Sequence, residues 1–252
     1  MMMNELDLLA RICSGYRHIL GEKLTGIYLH GSLAFGCFTW DTGDIDFLVV
    51  VEEPLNQSEK EALIHVLLDM TPHAPPKGFE MSVVLREDCD PVVHSVPFEL
   101  HFSNAHKDRA EADLPAYCRE MQGMDPDLAA HFAVTREVGQ AVYGLPVSEV
   151  FGDVPRSVYA QSILYDVDSA ETDITDNPVY VTLNLCRALA YLQEGLVLSK
   201  QQGGQWGLTH LPAAHHPLLQ GAQAAYAGGD FPATTGLEDF AAEMLRRIRA
   251  CI

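Results

Sequence analysis

The sequence predicts an α+β chain, with a small mixed β-sheet and helices over residues 1–150 and an α-helical bundle over 151–252. Three observations predict it. Short apolar runs near 24–30, 44–51, 79–85 and 97–103 have the β-branched and aromatic content of strands. A helical pattern lies between the second and third of them. After Gly144-Leu145-Pro146 the β signal disappears and helical segments remain. A length of 252 residues permits one large or two modest domains, and 48% hydrophobic content is ample for a packed core.

Taken in order, residues 5–20 place Leu9, Ile12, Tyr16 and Ile19 near helical spacing. The first strand stops at Gly31. Ser58 with Glu61 forms a capping-box pattern before Ala62 to Met70, so a helix is expected to cross back over the sheet. Thr71 to Pro76 reads as a loop. Asp125-Pro126 is a cap and first-turn pair for a helix to about Tyr143. Helices are expected at 155–173, 177–195, 214–227 and 236–250, with Gly195 ending the second of these and SKQQGGQWG forming a loop after it.

The chemistry centres on Gly31-Ser32, followed by Asp44-Ile45-Asp46 at the head of an apolar run. Glycine admits a ligand close to the backbone, and Ser32 can open a helix whose free N–H groups face a phosphate. Asp44 and Asp46 share one face of a strand through its two-residue period. Such hard oxygen ligands suit Mg²⁺. A lone D-x-D also suits two aspartates that merely cap a strand, but the preceding glycine-serine element weighs against that. Glu80 heads the next strand. On residues alone it is equally a general base, a third metal ligand or a strand-edge charge. In the helix from Asn177, Tyr180, Asn184, Arg187 and Tyr191 make one polar face; Arg187 and Lys200 are either cations for a triphosphate or ordinary surface charges. The run from Tyr165 to Asp176 holds five acidic residues, a pattern that a solvated loop also shows.

GSLAFGCFTWDTGDIDFLVV carries the G-S…D-x-D signature at full spacing, and the chain resembles the polymerase-beta-like nucleotidyltransferases. Within them it is most similar to the aminoglycoside adenylyltransferases that modify streptomycin and spectinomycin. GFEMSVV, FELHF, PDLAAHFAVTRE and VTLNLCRALAYLQEGLVLSK carry that likeness in order through almost the whole chain. The resemblance implies a nucleotidyltransferase domain over 1–150 and a helical domain for acceptor and ATP over 151–252. It implies catalytic Asp44, Asp46 and Glu80, favours Glu80 as base, and assigns the metal to Asp44 and Asp46. Nucleotide contacts are implied at Gly31, Ser32, Asp127, Arg187, Lys200 and Tyr226, and acceptor contacts at Glu80, Asp173 and Asp176. ATP and Mg²⁺ are the expected co-substrate and ion. The chain departs from the family pattern in three places. Gly43 stands where a serine commonly precedes D-x-D, Ala105 lies near the place of a tryptophan, and Asn177 replaces an acidic residue that Asp176 precedes by one position.

A net charge of −19 argues against tracking a nucleic-acid backbone and suits a polycationic small acceptor. Six scattered cysteines, Cys13, Cys37, Cys89, Cys118, Cys186 and Cys251, form no C-x-x-C pair and fit a reducing cytoplasm. No apolar run long enough for a membrane span and no signal-peptide pattern is present, so a soluble cytoplasmic protein is expected. The eleven histidines show no metal spacing and read as surface or core residues. No P-loop is found, and nothing demands a second subunit. A protein hydroxyl as acceptor, or a non-catalytic nucleotide-binding regulator, are the rival readings; the long helical half argues against the first, and intact Asp44, Asp46 and Glu80 against the second.

Overall fold

The computed structural model describes residues 4–232 and 235–252, and its chain divides into two compact units, one running to Val158 and the other from Tyr159 to Ile252. The fold is α+β, with the sheets in the first unit and helices in the second. Among the described residues no helix is long and apolar enough to cross a membrane.

In the first unit, α1 (Glu5–Leu20) begins at Asn4, whose side chain accepts from the Asp7 N–H. Strand β1 (Leu24–Leu29) leads to a single turn, α2 (Gly31–Ala34), and then to β2 (Ile45–Val51). Helix α3 (Gln57–Met70) connects β2 to β3 (Phe79–Leu85), which pairs with β2 in parallel, the crossover that the sequence predicts. Its capping box is Asn56 with Glu59, not Ser58 with Glu61: Asn56 Oδ1 accepts from the Glu59 N–H at 3.0 Å, and Glu59 Oε2 accepts from the Asn56 N–H at 2.8 Å.

The expected strand at 97–103 is two strands, β4 (Val96–Phe98) and β5 (Leu100–Ser103), which separate at Glu99 and join different sheets. Glu99 is 7% exposed and accepts from the Leu55 N–H at 3.1 Å, an inward polar anchor that turns the chain. Helices α4 (Lys107–Ala112) and α5 (Leu114–Glu120) follow. The helix expected from Asp125 to Tyr143 is three elements: β6 (Gly123–Asp125), α6 (Leu128–Val138) and β7 (Gln140–Gly144). Strand β4 pairs with β6, and β7 closes a five-stranded sheet of order β5-β3-β2-β1-β7.

Alternation along β2 divides the core. Ile45, Phe47, Val49 and Val51 pack with α1 and α3, whereas Leu48 and Val50 join Leu128, Ala129 and Phe132 of α6. The sheet is therefore covered on both faces, and the even-numbered face of β2 lies under α6. A short helix, α7 (Val147–Val150), follows β7.

The second unit takes up within α8 (Arg156–Val167). The helix expected to reach 173 breaks at Asp168-Ser169 and resumes as α9 (Ala170–Asp173). Next come α10 (Pro178–Glu194), closed by Gly195 in the left-handed conformation, and α11 (Lys200–His210). The expected loop after Lys200 is thus a helix, capped by Ser199 and Gln202. Its glycines serve packing rather than unusual backbone geometry: a Cβ at Gly203 would lie 2.9 Å from the Arg187 backbone nitrogen, and one at Gly204 2.6 Å from Leu183. Helices α12 (His216–Tyr226) and α13 (Leu237–Arg249) complete the unit.

Candidate active site

Strands β2 and β3 run in parallel with Asp46 opposite Glu80. Ile45 and Phe47 are fully buried on the α1/α3 side, so alternation turns Asp46 to the other face, where Asp44 and Glu80 accompany it. One ligand oxygen from each of Asp44, Asp46 and Glu80 lies within 4.8 Å of the others, and all three residues are half-buried. Among the described residues this is the one such group of three metal-ligating side chains. Three carboxylates this close repel one another, and a cation between them relieves that repulsion. The donor set is all oxygen, the chemistry of Mg²⁺.

Gly31 makes room for this cluster. Its φ is +61°, and a Cβ there would lie 1.8 Å from Asp46 Oδ2, so only glycine fits. The His30 N–H donates to the Asp46 carbonyl at 3.0 Å and holds the turn against β2. Helix α2 is only four residues long, so the anion-binding helix start expected at Ser32 reduces to a single turn. The Ser32 hydroxyl is shielded from solvent and has no hydrogen-bond partner among the described residues. A solvent-excluded hydroxyl without a partner, next in the chain to the Gly31 that abuts Asp46, fits a site built to receive a polar ligand.

Helix α6 brings Asp127 and a residue that sequence reasoning missed, His131, to the same face. His131 Nε2 lies 3.2 Å from Asp127 Oδ2 and 3.8 Å from Glu80 Oε1. Burial alone would lower its pKa. The hydrogen bond and charge of Asp127, with Glu80 and Asp125 behind, outweigh that and push it up to about 10. His30, 5.0 Å away ring to ring, is held well below the usual histidine range by burial and by the His131 charge. The available signal was the Asp127–His131 spacing of four on an expected helix.

In the second unit, Asp166 of α8 gathers the polar face of α10. The Tyr180 hydroxyl donates to Asp166 Oδ1 at 3.1 Å, and Asn184 Nδ2 donates to Oδ2 at 2.6 Å. Arg187 donates through Nε to Asn184 Oδ1 at 2.5 Å, and its NH2 lies 3.8 Å from Asp166. Lys200 Nζ sits 4.6 Å above the Tyr180 ring. The structure thus brings Arg187 and Lys200 to one cluster, on a residue that the sequence marked only as part of an acidic run. Asp173 and Asp176 line a neighbouring cavity of about 220 Å³ with Asp166, Asn177 and Tyr180. Asp173 also accepts from the Ser169 hydroxyl at 2.5 Å. Tyr226, half-buried, ends α12.

Comparison with known proteins gives two family matches. Residues 13–84 match the nucleotidyltransferase domain, and residues 149–250 match the C-terminal domain of aminoglycoside adenylyltransferase. An aminoglycoside (3'') (9) adenylyltransferase of Klebsiella pneumoniae is 27% identical over 220 residues, covering 84% of this chain and 81% of that protein. A spectinomycin 9-adenylyltransferase of Enterococcus faecalis is 22% identical over 231 residues, covering 90% and 89%. The crystal structure of spectinomycin adenyltransferase AAD(9) from Enterococcus faecalis, with ATP and spectinomycin, superposes with a TM-score of 0.83 at 21% identity, covering 98% of this chain and all of that one. That likeness establishes the shared fold.

Proposed function

The chain belongs to the aminoglycoside adenylyltransferase family, and on that premise we propose that it moves AMP from ATP to a hydroxyl of an aminoglycoside such as streptomycin or spectinomycin, releasing pyrophosphate. The observation that carries this reading is the carboxylate cluster of Asp44, Asp46 and Glu80, fixed by strand register beside Gly31. Asp44 and Asp46 would hold Mg²⁺. When bound, the ion supplies charge neutralisation on the triphosphate.

Glu80 takes the proton of the acceptor hydroxyl. The oxygen forms a bond to the α-phosphorus, the bond to the bridging oxygen breaks, and pyrophosphate leaves with that electron pair. Positioning and electrostatics supply most of the acceleration in such transfers. Gly31 admits the phosphates and Ser32 donates to them. Asp127 and Tyr226 contact the nucleotide, while Arg187 and Lys200 neutralise its phosphates as a fork and a point charge. Asp173 and Asp176, on their cavity, take the cationic groups of the acceptor, with Glu80 contacting the hydroxyl. The net charge of −19 favours such an acceptor over a nucleic acid, and six cysteines without a C-x-x-C pair suit a reducing cytoplasm as the site of action.

Pyrophosphate release from ATP and Mg²⁺ is the direct test, with streptomycin, spectinomycin and a wider aminoglycoside panel, and with Asp46→Asn as blank. Release that depends on one drug and vanishes in the variant is the expected result. Bound ATP with no release across the panel would discard the antibiotic acceptor and favour a different hydroxyl or a regulatory role.

A further inference from the structure

His131 stands between two carboxylates given different duties above, the proposed base Glu80 and the nucleotide-side Asp127. Its Nε2 lies 3.8 Å from the first and 3.2 Å from the second. The ring has little freedom. Leu128, Ala129 and Phe132 seat α6 on the sheet with no exposed surface, and the His30 ring, 4% exposed, packs 5.0 Å from that of His131. The His131 carbonyl accepts from the Thr135 hydroxyl at 2.8 Å, within the same helix. The imidazole therefore comes from a fixed helix onto two carboxylates carried by different elements.

We propose that His131, anchored on Asp127, is a positioning residue that bounds the place of the Glu80 carboxylate, so that the group receiving the proton and the group on the nucleotide keep one mutual geometry. This rests on the reading of Glu80 as base. A carboxylate at the head of a strand can rotate away from its target, and a displacement of about 1 Å at a reacting group costs on the order of a hundredfold in rate. The Nε2–H donates to Asp127 at 3.2 Å, and the ring held there stands 3.8 Å from Glu80 Oε1, beyond hydrogen-bond reach but close enough to limit that rotation.

The test compares His131→Leu, which removes both ring nitrogens, with His131→Gln, which keeps an N–H donor, in steady-state kinetics with the acceptor giving the highest turnover. The expected result is a kcat about ten- to a hundredfold lower for the leucine variant, little change in acceptor KM, and recovery of most of the loss by glutamine. In a Glu80→Gln background, His131→Leu adds no further loss, because it acts through Glu80. Wild-type kcat in His131→Leu, equal impairment of both variants, or a loss that follows the melting temperature would overturn the proposal. Unchanged turnover in Glu80→Gln would instead sink the reading of the base. An inactive Glu80→Gln beside a fully active His131→Leu removes only the positioning role.

Discussion

The two units assemble their polar clusters by different means. In the first, three carboxylates meet because parallel strands set Asp46 opposite Glu80 and the pleat points them one way. In the second, Asp166, Arg187 and Lys200 come from three helices. They can meet only because α11 lies close enough to α10 for Gly203 to touch the Arg187 backbone. Strand register fixes side chains through backbone hydrogen bonds, whereas helix contacts fix them through volume. The first cluster is vulnerable to changes of charge or of strand register, the second to any added methyl group at the contact.

The largest effect is expected at Gly31. Alanine there needs a left-handed backbone and drives a Cβ into Asp46 Oδ2, so turnover falls by about a hundredfold or more while the second unit keeps its fold. Near-normal kcat in Gly31→Ala would show that the carboxylate cluster tolerates displacement. Next comes Gly203→Ala, whose Cβ meets backbone rather than a yielding side-chain tip. Overpacking of this kind costs roughly 1–3 kcal/mol, and here it also moves Arg187, so calorimetric melting should drop and KM for ATP should rise together. Lost stability with unaltered KM would separate packing from the cation cluster.

The smallest effect concerns pH. His101 in the first unit is brought down to about 4 by burial, with the charges of His106 and His131 adding to it. Its folded pKa lies below the unfolded value of about 6.5. The stability it lends is therefore present above pH 6.5 and lost as pH falls through about 4, at no more than about a tenfold change in the folding equilibrium per pH unit. His131 has the opposite sign: its contribution is complete below about 6.5 and lost as pH rises through about 10. Thermal melts from pH 7 to 4 should fall less steeply for His101→Gln than for the parent chain. Parallel curves would discount the buried histidine.

The same contrast decides what the sequence reveals. Asp44 and Asp46 are legible because a period of two and a glycine-serine turn are local signals; Glu80 is legible only as the head of a strand, and its place beside them follows from the parallel pairing of β2 with β3. The polar face of α10 is legible as the two aspartates are, since Tyr180, Asn184 and Arg187 repeat at helical spacing. The paired glycines after Lys200 read as a loop because glycine usually breaks helices; only a neighbour at close range explains them in α11. Asp166 is indistinguishable from its acidic neighbours until α10 packs against it. Strand β7 is hidden in a helical pattern because Gly139 is the only breaker between Val138 and Gly144, and its pairing with β1 is a long-range event. His131 does not stand out among the histidines of the sequence, since its partners lie on another helical turn and another strand.

That pairing bears on how the chain is made. Strand β1 is buried along its whole length, with Gly26 beside Gly144 at its outer edge. A nascent chain has no strand to lay against that edge until Gln140 to Gly144 have left the ribosome. In the interval the edge is a bare template for pairing with other chains. A fragment cut before Gln140 would keep both aspartates and Glu80 yet carry this open edge permanently, and it is expected to precipitate, whereas one extending through Gly144 carries its own cover.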